Sequence, residues 1–358
     1  MKIMTVRGEI SPENLGFTTF HEHTNCVLEP MPLPFPMPEE KLKMKIENMN
    51  ALRNGMMVFS EEASGVDDAD YLTSEFLAFK EIGGGAVVDA SPIGIRGNVS
   101  GIREASERAD LHVVCATGLY HYGKQPEMFA GKTESELMAY FEKEICDGID
   151  DTGIRPGFLK CAMDQLGPDG EIHEVEQKTI RACARVAEKY GMSVHIHSGG
   201  SITARHVLNA VDIVLNECGV QPGKLVMLHM DSMLRPSNML TEYMTVPGAV
   251  RTVDTALQES ILEKGVNISF DTWGTPFTGV LPDDYDRMKA LIILLNKGYA
   301  SQIVFGHDTM GKPLGVSYGY HGFTRFATFV PPLLRQFGFP EDIMHKIAVE
   351  NPARILMY

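Results

Sequence analysis

Eight times along the chain a short run of apolar, β-prone residues ends in a polar or glycine-containing turn and gives way to a stretch with helical spacing. The runs predict strands over 17–20, 86–90, 112–117, 157–163, 193–198, 225–230, 266–271 and 303–308. The clearest helix is 174–190, where Ile180, Ala184, Val186 and Ala187 mark one apolar face and Gly191 supplies the stop. Strand followed by helix, repeated in this way, builds a parallel sheet through right-handed crossovers, and its commonest single-domain form is a closed barrel. The expected fold class is therefore α/β, a (β/α)8 TIM barrel.

Length allows either one barrel spanning 1–358 or two ordinary domains, and the eightfold alternation selects the first. An open doubly wound sheet is the alternative. No G-x-G-x-x-G follows the first strand, and Gly83-Gly84-Gly85 precedes the second strand, where it ends a helix more naturally. The alternate prolines of 30–38 exclude helix and central strand there, leaving a surface spacer or a rim of the pocket as equal readings.

A hydrophobic fraction of 44% suits a folded domain with a large core. The net charge of −15 argues against nucleic acid and against an anionic membrane surface, since both require clustered cations. The first residues lack the apolar run of a signal peptide and no apolar stretch is long enough to span a bilayer, so the expected location is cytoplasmic. Cys26, Cys115, Cys146, Cys161, Cys183 and Cys218 form no C-x-x-C pair and read as small buried residues.

His21-Glu22-His23 ends the first run, and alternate residues of a strand share a face, so two imidazoles there can reach one metal ion. Alone the pattern is weak. Lys160 lies in the fourth run, while His197, His229 and Asp308 lie at the ends of the fifth, sixth and eighth. Barrel enzymes build their sites at the C-terminal ends of strands. A single strand-end histidine is usually a hydrogen-bonded loop residue; ligand types at five ends together reverse that judgement.

Of His195 and His197, which share a face, His195 lies deeper and suits a core layer or a supporting role. His307 and Asp308 point to opposite faces, and Asp308 is preferred because a carboxylate can bind metal and accept a proton. His112, His173, His206 and His345 read as solvated or structural, and His121 and His321 stay open. Lys160 is the odd member, because an ammonium repels divalent cations and must be altered if it lies among them.

At these residues the chain resembles the phosphotriesterase-like family of the amidohydrolase superfamily. The resemblance is carried by 16–23 (Gly-Phe-Thr-Thr-Phe-His-Glu-His), by 148–155 (Gly-Ile-Asp-Asp-Thr-Gly-Ile-Arg) through Lys160, and by Asn351-Pro352-Ala353-Arg354. It implies that Lys160 reacts with carbon dioxide to give N6-carboxylysine, a carbamate bridging two divalent metal ions. It further implies that His21, His23 and Asp308 hold the buried ion and that His197 and His229 hold the exposed one. Zinc suits such ligands best, and manganese, cobalt or iron fits the same cage. The implied chemistry is hydrolysis by a metal-bridging hydroxide, with Asp308 and Lys160 as the catalytic side chains and a homodimer as the assembly.

The substrate is a small molecule chosen by the loops. Tyr120, Lys124, Arg96, Arg235, Trp273 and Lys312 are the expected substrate-binding residues, with Tyr122, Tyr318 and Tyr320 near them. Their cations suit an anionic group such as the phosphate of a sugar lactone. Where relatives place Arg or His after the strand-7 aspartate, this chain has Thr272-Trp273-Gly274 after Asp271, which weakens an organophosphate reading. Lactone hydrolysis is therefore expected first, ahead of phosphotriester hydrolysis and of a non-catalytic metal-binding regulator.

Overall fold

The computed structural model describes residues 1–66, 68–234, 253–275 and 282–358. Its centre is a sheet of eight parallel strands in sequential order: β3 (Phe17–Glu22), β4 (Gly84–Asp89), β5 (His112–Thr117), β6 (Phe158–Met163), β7 (Val194–Ser198), β8 (Leu225–Met227), β9 (Asn267–Phe270) and β10 (Ile303–Phe305). The last strand returns to the first, where the amides of Asp308 and His307 donate to the carbonyl of His21 at 3.0 and 3.3 Å. This is the expected (β/α)8 barrel. An antiparallel hairpin of β1 (Ile3–Thr5) and β2 (Gly8–Ile10), unforeseen in the sequence, precedes it.

Alternation along the strands divides the core into two layers. Phe20, Ala86, Val88, Val114, Ala116, Phe158, Val226 and Val304 fill the barrel, with Ile3, Ile355 and Leu356 packed onto the same cluster. Their neighbours Val87, Val113, Leu159, Ile196, Met227, Ile268 and Phe305 face the surrounding helices. The helix Glu174–Tyr190 has the predicted bounds; His173 caps its first turn by accepting from the Val175 amide, and Gly191 ends it at φ +68°.

Two strands stop earlier than their apolar runs. The ladders of β8 and β10 end at Met227 and Phe305, before His229 and Asp308. Both residues have left-handed backbones, with φ of +58° and +54°, which cannot continue a pleated ladder. The proline-rich stretch 30–38 forms neither helix nor strand and is largely exposed. No described helix is long and apolar enough to cross a membrane.

Candidate metal centre

Phe20 and His21 are consecutive, yet Phe20 packs in the barrel interior while His21 contacts Lys160 and His229 across the mouth. A register shift of β3 against β4 between Thr19 and Glu22 makes this possible, because a bulge re-aims the side chains beyond it. His21 and His23 then face the mouth, and Glu22 turns to the helix side.

The side chains converge in a continuous chain. His23 Nε2 lies 3.1 Å and His21 Nε2 3.5 Å from Asp308 Oδ1. Lys160 Nζ is 3.5 Å from His21 Nε2, and His197 Nδ1 is 2.7 Å from His229 Nε2. One ligand atom each from His21, His229 and Asp308 lies within 4.8 Å of the others.

The ring orientations are set from behind. Asp271, at the end of β9, accepts from His21 Nδ1 at 2.7 Å through one oxygen and from His229 Nδ1 at 2.9 Å through the other. Both rings therefore carry a proton on Nδ1 and turn Nε2 toward the mouth. Ser91 Oγ stands 2.8 Å from His23 Nδ1 and does the same for that ring. Asp164 Oδ1 lies 3.7 Å from the outer nitrogen of His197.

Burial lowers the pKa of His21 and of His197 to about 3, so both rings are neutral, as metal ligands must be. Burial also brings the Lys160 ammonium down to about 8. For Asp308 burial works the other way, but the charge of His229, whose own pKa is raised because Asp271 and Asp308 outweigh its burial, and the hydrogen bond from His23 hold the carboxylate ionised. Imidazoles turned to the mouth and held from behind, an ionised carboxylate and a readily deprotonated lysine are a donor set that fits divalent cations.

The other histidines fall away from this cluster. His195 is buried between Phe20 and Phe158, with ring centroids 5.0 and 4.2 Å away, and fills the layer below. His307 Nδ1 donates to Glu22 at 2.6 Å while its Nε2 accepts from the Phe326 amide at 3.3 Å, leaving no lone pair for a metal. His321 directs both nitrogens at carbonyls, of Gly322 and Gly274. His121 lies beside Tyr120 with tilted rings 4.5 Å apart, and its buried Nδ1 has no hydrogen-bond partner among the described residues.

The expected substrate-binding residues divide. Tyr120 stands edge-on to His197 with centroids 5.2 Å apart, at the mouth. Arg96 needs correction: its guanidinium is buried against Glu144 on the helix Glu134–Asp147, at 2.6 and 3.1 Å, and also reaches Asp150. A buried carboxylate this close consumes the charge that was assigned to substrate. Trp273 needs the same correction. It is fully buried against Phe305 and Phe329, in the layer between barrel and helices, where an indole gains most from exclusion of water.

Lys124 lines a cavity of about 330 Å³ together with Arg96, Glu29, Gly94 and Gln125, none of them a residue of the histidine cluster. Lys312 is half-buried in a loop whose amide is anchored on the Ala63 carbonyl. Arg235 lies outside the described residues. Thr272 supplies no pocket group, because its hydroxyl lies 2.8 Å from Asp231 and 2.9 Å from the fully buried Arg287.

Sequence reasoning left Ser91, Asp164 and Arg287 unremarked and gave Asp271 no task. Asp164 and Asp271 carried one readable signal, a carboxylate just beyond a strand end.

Comparison with known proteins agrees over the whole chain. The model of the Phosphotriesterase family matches residues 1–356. An N-acetyltaurine hydrolase of Xenopus tropicalis is 26% identical over 368 residues, covering 100% of this chain and 98% of its own. A resiniferatoxin-binding protein from Rhodobacter sphaeroides superposes with a TM-score of 0.84 at 25% identity, covering 99% of this chain and 94% of its own. A mutant of a PTE-like lactonase from Deinococcus radiodurans gives a TM-score of 0.73 at 26% identity, with coverage of 99% and 100%.

Proposed function

Because this chain belongs to the phosphotriesterase family and is a metal-dependent hydrolase, we propose that it opens carboxylic esters, with lactones as its first substrate class. The observation that carries the reading is the convergence of His21, His229 and Asp308 on one point, with Lys160 beside them. His21, His23 and Asp308 would hold one divalent cation and His197 and His229 a second, zinc being the best match to these donors. When bound, the cations would lower the pKa of a water and polarise a carbonyl oxygen.

The chain's own groups supply the rest. Lys160, as the neutral amine, would add through Nζ to carbon dioxide and lose one proton, giving an anionic carbamate whose oxygens would help hold the cations. Asp308 accepts the proton of the attacking water as its oxygen bonds to the carbonyl carbon. When the ring C–O bond breaks, the same carboxyl returns that proton to the departing oxygen. Tyr120 forms the wall of the pocket beside His197 and contacts the acyl portion.

The commitment of Arg96 to Glu144 favours a lactone without a phosphate group. The absence of Arg or His after Asp271, with Thr272 bound to Asp231 instead, supports lactone over phosphotriester. A second reading, hydrolysis of an N-acyl amide, is favoured by the whole-chain likeness to N-acetyltaurine hydrolases.

Acid release by metal-loaded protein from sugar lactones, acyl-homoserine lactones, a paraoxon-like triester and N-acetyltaurine separates the readings. Turnover of lactones above the rest is expected. Turnover of N-acetyltaurine alone would replace the lactone by the amide, and no turnover on any class with metal bound would point to a regulator.

A further inference from the structure

We infer that Glu22, the residue between the paired histidines, is the positioning residue that sets the carboxylate of Asp308; the inference rests on the metal-centre reading above. Its side chain is fully buried on the helix side of the barrel, where the register shift of β3 sends it. A buried carboxyl group there needs hydrogen-bond partners. It has them: Oε1 accepts from the His307 amide at 3.0 Å, from His307 Nδ1 at 2.6 Å and from Thr19 Oγ1 at 2.5 Å, and Oε2 accepts from the Thr309 amide at 3.1 Å.

The two amides belong to the residues on either side of Asp308. Between them Asp308 adopts φ +54°, a left-handed region that residues with a Cβ enter infrequently. One carboxylate thus grips the chain before and after the left-handed residue, and the Asp308 amide is tied to the His21 carbonyl at 3.0 Å. The Asp308 side chain is thereby aimed at His21 and His23. His-Glu-His so works as one unit, in which the outer residues face the mouth and the middle one fixes their partner, just beyond β10, from behind.

The two ways Glu22 could matter, as a strut of the fold or as the aim of Asp308, give different results in Glu22→Gln. An amide of the same size offers one acceptor oxygen in place of two, so one of the flanking N–H groups loses its partner. Cobalt(II) titration of metal-free protein and steady-state kinetics are read together. The variant is expected to bind as many cobalt equivalents as wild type, to show displaced d–d bands, and to lose about tenfold to a hundredfold in kcat at nearly unchanged KM.

A variant with wild-type bands and wild-type kcat, differing only in melting temperature, would overturn the inference. Should Glu22→Gln fail to fold, Thr19→Val decides in its place, since it removes one donor and leaves the carboxylate. Displaced bands with about a threefold loss of kcat support the inference, and bands and kcat equal to wild type refute it. Wild-type protein that takes up no cobalt would remove the metal-centre reading itself, a failure that the wild-type titration identifies separately.

Discussion

His197 Nδ1 stands 2.7 Å from His229 Nε2, so rings from adjacent strands aim nitrogen atoms at a single point. The Nδ1 of His229 donates to Asp271. A cation shared by both rings needs the His197 proton on the opposite nitrogen, the one 3.7 Å from Asp164. Asp164 therefore favours the tautomer that binds metal. Asp164→Ala is expected to weaken the exposed metal site by about tenfold with little effect on melting temperature. Competition with a chromophoric chelator checks the affinity, and equal affinity in the two proteins would refute the role.

Asp271 serves two rings at once, one through each oxygen. In Asp271→Asn only one oxygen remains to accept, and the amide nitrogen opposes the Nδ1–H of the other ring. One imidazole must then turn over or change tautomer. Metal affinity is expected to fall roughly ten- to a hundredfold in a protein that still folds. The same chelator competition tests this, with circular dichroism as the control for folding.

Lys160 titrates at about 8 because its ammonium is buried. An ordinary lysine has roughly 0.1% or less of its amine neutral at pH 7, whereas this one has about a tenth. Only the neutral form adds to carbon dioxide, so carbamate formation in metal-free protein should rise as pH increases from 7 through 8 and level off above 9. Carbon-13 NMR of protein under labelled carbon dioxide should show that rise. The sign for stability follows from the same shift: the folded pKa lies below the unfolded value, so Lys160 costs stability below about 8 and the cost fades as pH rises toward the unfolded pKa. A carbamate yield independent of pH over that range would contradict the role given to burial.

Arg96 and Glu144 form a buried pair, with side chains 5% and 4% exposed. Removing one partner leaves a charge without water or counter-ion. Arg96→Met is expected to destabilise the protein by about 3–5 kcal/mol, read by urea unfolding, and to leave KM for the best substrate unchanged in the fraction that folds. A raised KM without loss of stability would return Arg96 to the substrate pocket.

The barrel was legible in the sequence because alternation of buried strands and amphipathic helices is a local pattern, and the helix Glu174–Tyr190 was legible to the residue because its cap and stop are local too. The positions of His21, His23, Lys160, His197, His229 and Asp308 were readable because a ligand type at a strand end is also a local fact. What escaped was long-range. Whether Arg96 meets a substrate or Glu144 depends on a helix residue 48 positions away. Trp273 turns outward beside a mouth residue, and nothing in its own segment says which way. The register shift at β3 and the left-handed residues at His229 and Asp308 go with contacts between segments far apart in sequence, such as the His229 amide on Asp271 and the Asp308 amide on the His21 carbonyl, and the strand ends were overestimated for that reason.

The most direct test of a two-cation cage is metal content after reconstitution, measured by elemental analysis on wild type and on Lys160→Ala side by side. Two equivalents per chain are expected in wild type. The variant should retain one or fewer, with partial recovery when a short carboxylic acid is supplied in place of the carbamate. A wild type that binds no metal, or a Lys160→Ala protein that holds two equivalents as tightly as wild type, would contradict the account.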